Sequence, residues 1–159
     1  GQAFTIEAMV KLPDARLALI GEGEDREMLD KMAHTLGVAD RVHFLGSLPH
    51  KEIAHYLQAA DVAVLPSSSE GLANAWIEAL ACGTPLVVTD TGGAREVLHS
   101  HAAGRIIERN ADAIAAAIHE LLASPPHRET VASTVAEYSW EANGAALIAH
   151  WRHLLDSKA

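Results

Sequence analysis

Residues 61–88 read DVAVLPSSSEGLANAWIEALACGTPLVV, and the order of elements in this stretch decides the fold. Val62 to Leu65 is an apolar run of strand length closed by Pro66, and Leu86-Val87-Val88 is a second such run. Between them, residues 72–82 predict a helix that Gly83 stops. Two strands of this kind joined through a helix form a βαβ unit, and strands so connected run parallel.

The alternation continues in both directions. Arg16 to Ile20 predicts a strand ended by Gly21-Glu22-Gly23, followed by a helix from Glu24 with Met28, Leu29, Met32 and Leu36 on one face. Residues 41–45 predict a strand, and residues 50–60 a helix with Ile53, Tyr56 and Leu57 turned inward. A short helix near 93–98 and a strand at 105–107 follow. Ile114, Ile118, Leu121 and Leu122 then mark an amphipathic helix, broken at Ser124-Pro125-Pro126. A last helix carries Leu147, Ile148, Trp151, Leu154 and Leu155 on one stripe, and Trp140 and Trp151 are expected to anchor this end to the core. The fold class is α/β: a doubly wound parallel sheet with helices on both faces and a helical C-terminal tail.

At 159 residues, 49% hydrophobic and 21% charged, the chain has the length and balance of one globular domain without a disulfide staple. Twelve Lys and Arg against 21 Asp and Glu give a net charge of −9, which disfavours nucleic acid as a bulk partner. No apolar run approaches the roughly 18 residues of a membrane span. The single cysteine, Cys82, suits a reducing cytoplasm and reads as a buried structural thiol. The chain opens inside a helical pattern (Phe4, Ile6, Met9, Val10, Leu12, then Pro13), so residues 1–159 are expected to be one domain of a longer, two-domain protein.

Open parallel sheets bind ligands beyond the carboxyl ends of their strands, which here means loops 21–24, 45–50, 66–72, 89–94 and 108–110. In the third of these, Glu70 stands where the helix N-terminus is expected, and amides at Gly71 to Asn74 would offer the positive end of the helix dipole to a diphosphate. Glu78 follows eight residues later, ~12 Å along a helix axis at ~1.5 Å per residue. That is too far for the acid and nucleophile of a retaining hydrolase, which stand about 5 Å apart. It fits two carboxylates gripping hydroxyls at different parts of one extended ligand. Taken alone, Glu70 is a helix-start charge and Glu78 a solvated-face residue.

The context adds more. GEG at 21–23, RVHFLG at 41–46, ADVAVLPS at 60–67, the Glu70 and Glu78 pair, ACGTPLV at 81–87 and TGGAREV at 91–97 occur in order. Together they resemble the C-terminal, donor-binding half of the retaining glycosyltransferases of family 4, which have the GT-B fold. The resemblance covers about the whole chain and weakens after residue 110. It implies that Glu78 holds the nucleotide ribose hydroxyls and that Glu70, the residue nearest catalysis, contacts the transferred sugar. It also implies diphosphate contacts from Gly71, Leu72, Ala73 and Asn74, and base contacts from Gly46, Ser47 and Leu48. A nucleotide-diphospho-sugar would be the donor substrate, with no further cofactor and no metal. An ionised carboxylate accepts several hydroxyl hydrogen bonds, so each role is chemically sound.

Leu72 and Ala73 depart from the Phe and Gly common in the family, which leaves the donor sugar open. The family's phosphate-neutralising Arg and Lys have no counterpart in this chain, nor has the acceptor-binding N-terminal domain, its implied partner. The implied activity is a bacterial-type hexosyl transfer to a glycan, lipid-linked or lipopolysaccharide-type acceptor in polysaccharide biosynthesis. The chain alone is expected to be inactive. The complete enzyme is expected in the cytoplasm, with the cytoplasmic face of the inner membrane as a peripheral location.

Weaker signals yield less. Gly21-Glu22-Gly23 lacks the third glycine of a dinucleotide fingerprint, because Arg26 holds its place, and its glutamates would repel a pyrophosphate. Ten histidines include no pair with a third ligand at convincing spacing. Ser67 to Ser69 lack a nucleophile elbow. Three rival functions stay open: a binding module without transfer, another GT-B enzyme such as a nucleotide-sugar epimerase or sugar-phosphate synthase, and a flavodoxin-like signalling domain.

Overall fold

The computed structural model describes residues 1–156. Among these residues five strands and eight α-helices follow one another in the predicted order, with the short α7 added after the break at 124–126: α1 (Gln2–Ala8), β1 (Leu17–Ile20), α2 (Arg26–Thr35), β2 (Val42–Gly46), α3 (His50–Ala59), β3 (Ala63–Leu65), α4 (Asn74–Ala81), β4 (Leu86–Thr89), α5 (Ala94–Val97), β5 (Gly104–Ile107), α6 (Ala111–Ala123), α7 (Arg128–Ser133) and α8 (Trp140–Asp156). All three strand pairings are parallel: β1 with β2, β3 with β4, and β4 with β5. The ladders form two pieces, β1-β2 and β3-β4-β5, with no strand-to-strand hydrogen bonding between β1 and β3.

Strand β4 shows why helices cover both faces. Its four residues are all buried. Leu86 and Val88 point into a cluster with Trp76, Leu80, Val97 and Val131, which α4, α5 and α7 supply. Val87 points the other way, into Ile114, Ile118 and Leu121 of α6 and Ala8 of α1. Alternating residues of one strand thus feed two cores, as the period of two requires. A third cluster joins Ile6 and Met9 to Leu29, Ala33, Val38 and Val42 around β1 and β2. Arg41 fastens this part: its guanidinium donates to the carbonyls of Leu12 (2.6 Å) and Met9 (3.1 Å), which end the first helical segment. Helix α6 is capped by Asn110, whose Oδ1 accepts from the Ala113 amide at 2.8 Å.

Several expected faces are narrower than the sequence indicates. In α2, Leu29 and Ala33 are buried while Met28 and Leu36 are exposed, because one i, i+4 row suffices to cover the short β1-β2 ladder. Helix α3 buries no residue fully, and Tyr56 is exposed. Leu122 steps off the buried face of α6. The largest departure is α8, which was expected to pack on the core and instead buries nothing. Trp140 is 88% exposed and Trp151 58%, so neither anchors the tail. Val131, Val135 and Tyr138, which precede α8 in the chain, already pack in the cluster of Trp76 and Leu86. No helix among the described residues is long and apolar enough to cross a membrane.

Candidate functional site

Helix α4 starts at Asn74, two residues later than the sequence predicts, with Ala73 in extended conformation at its N-cap. Glu70 and Gly71 therefore lie in the loop before the helix and not on its first turn, and Leu72 is exposed. The amides left without an intrahelical partner are those at the start of α4, around Asn74 and Ala75.

The loop is held from the β4 side. The Gly93 amide donates to the Gly71 carbonyl at 2.9 Å. Gly92 has φ +50°, and a Cβ built on it would stand 2.1 Å from the Gly71 carbonyl oxygen and 2.4 Å from that of Glu70. No residue but glycine lets the two backbones approach this closely. Thr89 at the end of β4 donates its hydroxyl to the Ser67 carbonyl, and Arg109, two residues past β5, donates to the Pro66 carbonyl at 2.9 Å. The sequence places the TGGAREV turn among ligand-facing loops without showing that Gly92 and Gly93 carry the Glu70 loop. The double glycine was the signal for such a close approach.

Glu78 sits half-buried on α4, and its carboxylate meets His50, the first residue of α3, at 3.2 Å. The structure thus brings Glu78 to the end of the segment holding Gly46, Ser47 and Leu48. Gly46 ends β2 with φ +70° and accepts from the Gly21 amide at 2.8 Å. The Glu22 carboxylate lies over Gly46, where a Cβ would meet its Oε1 at 2.8 Å. Glu70 and Glu78 are positioned by separate contacts: the first by the 92–93 turn, the second by His50. Cys82, one turn beyond Glu78, is half-buried instead of buried. Burial, then the Glu78 charge, pushes its thiol pKa up, which disfavours the thiolate, the reactive form.

A cavity of about 540 Å³ opens at the carboxyl ends of β3, β4 and β5, bounded by Ser67, Thr89, Asp90, Arg95, Glu108 and Arg109. Glu70, Glu78 and residues 46–48 do not line it. Asp90 and Arg95 on its rim form a two-pronged pair at 2.6–3.1 Å. Arg95 holds the Asp90 carboxyl below the usual carboxylate range, chiefly by hydrogen bonding. A depressed carboxylate adds stability above its unfolded pKa and loses it as pH falls through the folded one. The pair is exposed, so its contribution is small. Asp90→Asn should therefore flatten the acid limb of a thermal-stability profile slightly and leave neutral stability nearly unchanged. A large loss at neutral pH would show that Asp90 does something other than pair with Arg95. No group of three or more His, Cys, Asp or Glu side chains among the described residues could hold a metal ion.

The family model of the glycosyl transferases group 1 matches residues 1–137. The chain belongs to the group 1 glycosyl transferases. It is 35% identical, over 92% of its length, to the GDP-mannose-dependent alpha-(1-6)-phosphatidylinositol monomannoside mannosyltransferase of Mycolicibacterium smegmatis. It is 36% identical, over 86% of its length, to the lipopolysaccharide core biosynthesis glycosyltransferase LpsE of Rhizobium meliloti. It spans 43% and 42% of those two proteins, so it corresponds to less than half of each. Among solved structures, sucrose-phosphate synthase from Thermosynechococcus elongatus superposes with TM-score 0.85 at 29% identity, covering 99% of this chain and 44% of that one. The Anabaena protein HepE, solved with UDP and glucose, superposes with TM-score 0.81 at 24% identity, covering 99% of this chain and 45% of that one, and shows the same fold.

Proposed function

We propose that this group 1 glycosyl transferase chain is the donor-binding half of a retaining enzyme that moves a sugar from a nucleotide diphosphate to a glycan, lipid-linked or lipopolysaccharide-type acceptor. The observation that carries the reading is how α4 is held: Glu78 by His50 from the β2 side, and the Glu70–Gly71 loop by Gly92 and Gly93 from the β4 side. Segments that follow β2, β3 and β4 thereby meet at helix α4, at the strand carboxyl ends where open α/β sheets take nucleotides. In this reading Glu78 grips the ribose hydroxyls, Glu70 the transferred sugar, and Gly46, Ser47 and Leu48 the base. The amides from Gly71 to Asn74 meet the diphosphate, with those at the start of α4 best placed for it. The reaction needs no protein nucleophile in this chain, since donors aimed at the leaving diphosphate stabilise the charge that develops there.

The acceptor site belongs to a partner domain, in keeping with the chain's share of its relatives' length. The name of the mycobacterial relative points to a nucleotide-sugar donor and a lipid-linked acceptor. The cavity beside Asp90 and Arg95 is not the donor site in this reading, because none of residues 46–48, 70–74 and 78 lines it.

The test is a backbone amide NMR titration with UDP, GDP and ADP on this chain and on the complete enzyme. One nucleotide should shift amides of residues 46–48 and 70–78 selectively. Glu78→Gln should weaken that binding roughly tenfold, since a hydrogen bond to a charged acceptor is worth ~1.5–3 kcal/mol and the amide keeps part of it. Equal shifts in the variant, or no response from either protein, would sink the assignment.

A further inference from the structure

We infer that His50 is a positioning residue for ribose recognition: it fixes the Glu78 carboxylate for the nucleotide's diol and ties that grip to the base-contacting segment. The inference rests on the reading of Glu78 as the ribose ligand and adds a residue to it. His50 Nε2 stands 3.2 Å from Glu78 Oε1. An ionised carboxylate only accepts, so Nε2 must carry the proton and donate. Among the described residues no lysine or arginine pairs with Glu78, which leaves His50 as the side chain that hydrogen-bonds its carboxylate.

The exposures argue for orientation and against a structural role. The His50 side chain is 77% exposed and that of Glu78 39%, and pairs so open contribute almost nothing to folding. A carboxylate offers roughly four acceptor positions, and His50 occupies one. The rest remain for two vicinal hydroxyls. An unheld glutamate would have to give up rotamer freedom on binding, whereas one already fixed by an imidazole has lost it beforehand.

His50 lies two residues beyond Leu48, and the link between them is stiff. Pro49 has φ −57°, which its ring fixes, and ψ 141°, and it delivers His50 straight into the first turn of α3. The segment that ends β2 therefore meets the base through residues 46–48 and, one proline later, sets the carboxylate that meets the ribose. Base and sugar recognition are coupled through five consecutive residues.

The experiment measures calorimetric affinity of this chain and of the complete enzyme for UDP and 2′-deoxy-UDP, or for the GDP pair if GDP is the nucleotide selected. Wild type should prefer the ribonucleotide about tenfold, the value of a hydrogen bond to a charged group. His50→Phe, which keeps a ring but loses the donor, should cut that preference to about threefold or less without lowering the melting temperature. His50→Gln, with an N–H of similar reach, should restore most of it. If nucleotide binds and the preference survives in His50→Phe, this inference is wrong while Glu78 keeps its role. If wild type binds without any ribose preference, or binds no nucleotide, the assignment of Glu78 falls and His50 with it.

Discussion

Gly92→Ala is expected to destabilise the protein by about 2–5 kcal/mol and to abolish nucleotide binding together with that stability. Two costs combine. The residue has φ +50°, a region that costs an L side chain ~1–2 kcal/mol. Its Cβ would also stand 2.1 Å and 2.4 Å from two carbonyl oxygens, so the 92–93 turn and the Glu70–Gly71 loop must separate. Backbone shifts forced by overpacking cost ~1–3 kcal/mol. Separation breaks the Gly93-to-Gly71 hydrogen bond and releases Glu70. Gly71→Ala provides the contrast: its φ is ordinary and nothing lies within 4 Å of the added Cβ, so its stability should hardly change. Denaturant unfolding of both variants checks this directly. Comparable stabilities for the two would mean that the close approach at Gly92 is not what holds the loop.

That contrast also marks the limit of the sequence. The strand-helix alternation is legible because buried parallel strands are short apolar runs, and β4, with four buried residues in a row, is the plainest case. The ordered blocks around Glu70 and Glu78 point to helix α4, which the structure starts two residues later than the sequence predicts. What was not legible depends on contacts between loops far apart in the chain. Gly71, Gly92 and Gly93 look alike in sequence, yet only Gly92 combines a positive φ with a backbone neighbour closer than van der Waals contact. His50 reads as an ordinary helix start after Pro49, and nothing in its surroundings names Glu78, 28 residues on, as its partner. The stripe on α8 misleads in the opposite sense: an amphipathic pattern states that a face prefers burial and does not state what buries it.

Trp76→Ala should be the most damaging single substitution in α4, costing about 3–5 kcal/mol, as truncation of a large buried aromatic does. The side chain is fully buried against Leu86, Val88, Val97 and Val131, on the helix that also carries Glu78. One feature pulls the expected value toward the lower end. The indole N–H is buried without a hydrogen-bond partner among the described residues, and an unsatisfied donor of this kind costs ~1–3 kcal/mol that truncation removes. About 3 kcal/mol in a domain of this length lowers the melting temperature by ~6–12 °C. Trp76→Phe separates the two contributions, since it deletes the orphan N–H while keeping a ring in the cluster. Its cost should therefore fall well below that of Trp76→Ala. If phenylalanine proves as damaging as alanine, the indole nitrogen is engaged after all, and the helix bearing Glu78 is fixed from beneath by a polar contact rather than by packing alone.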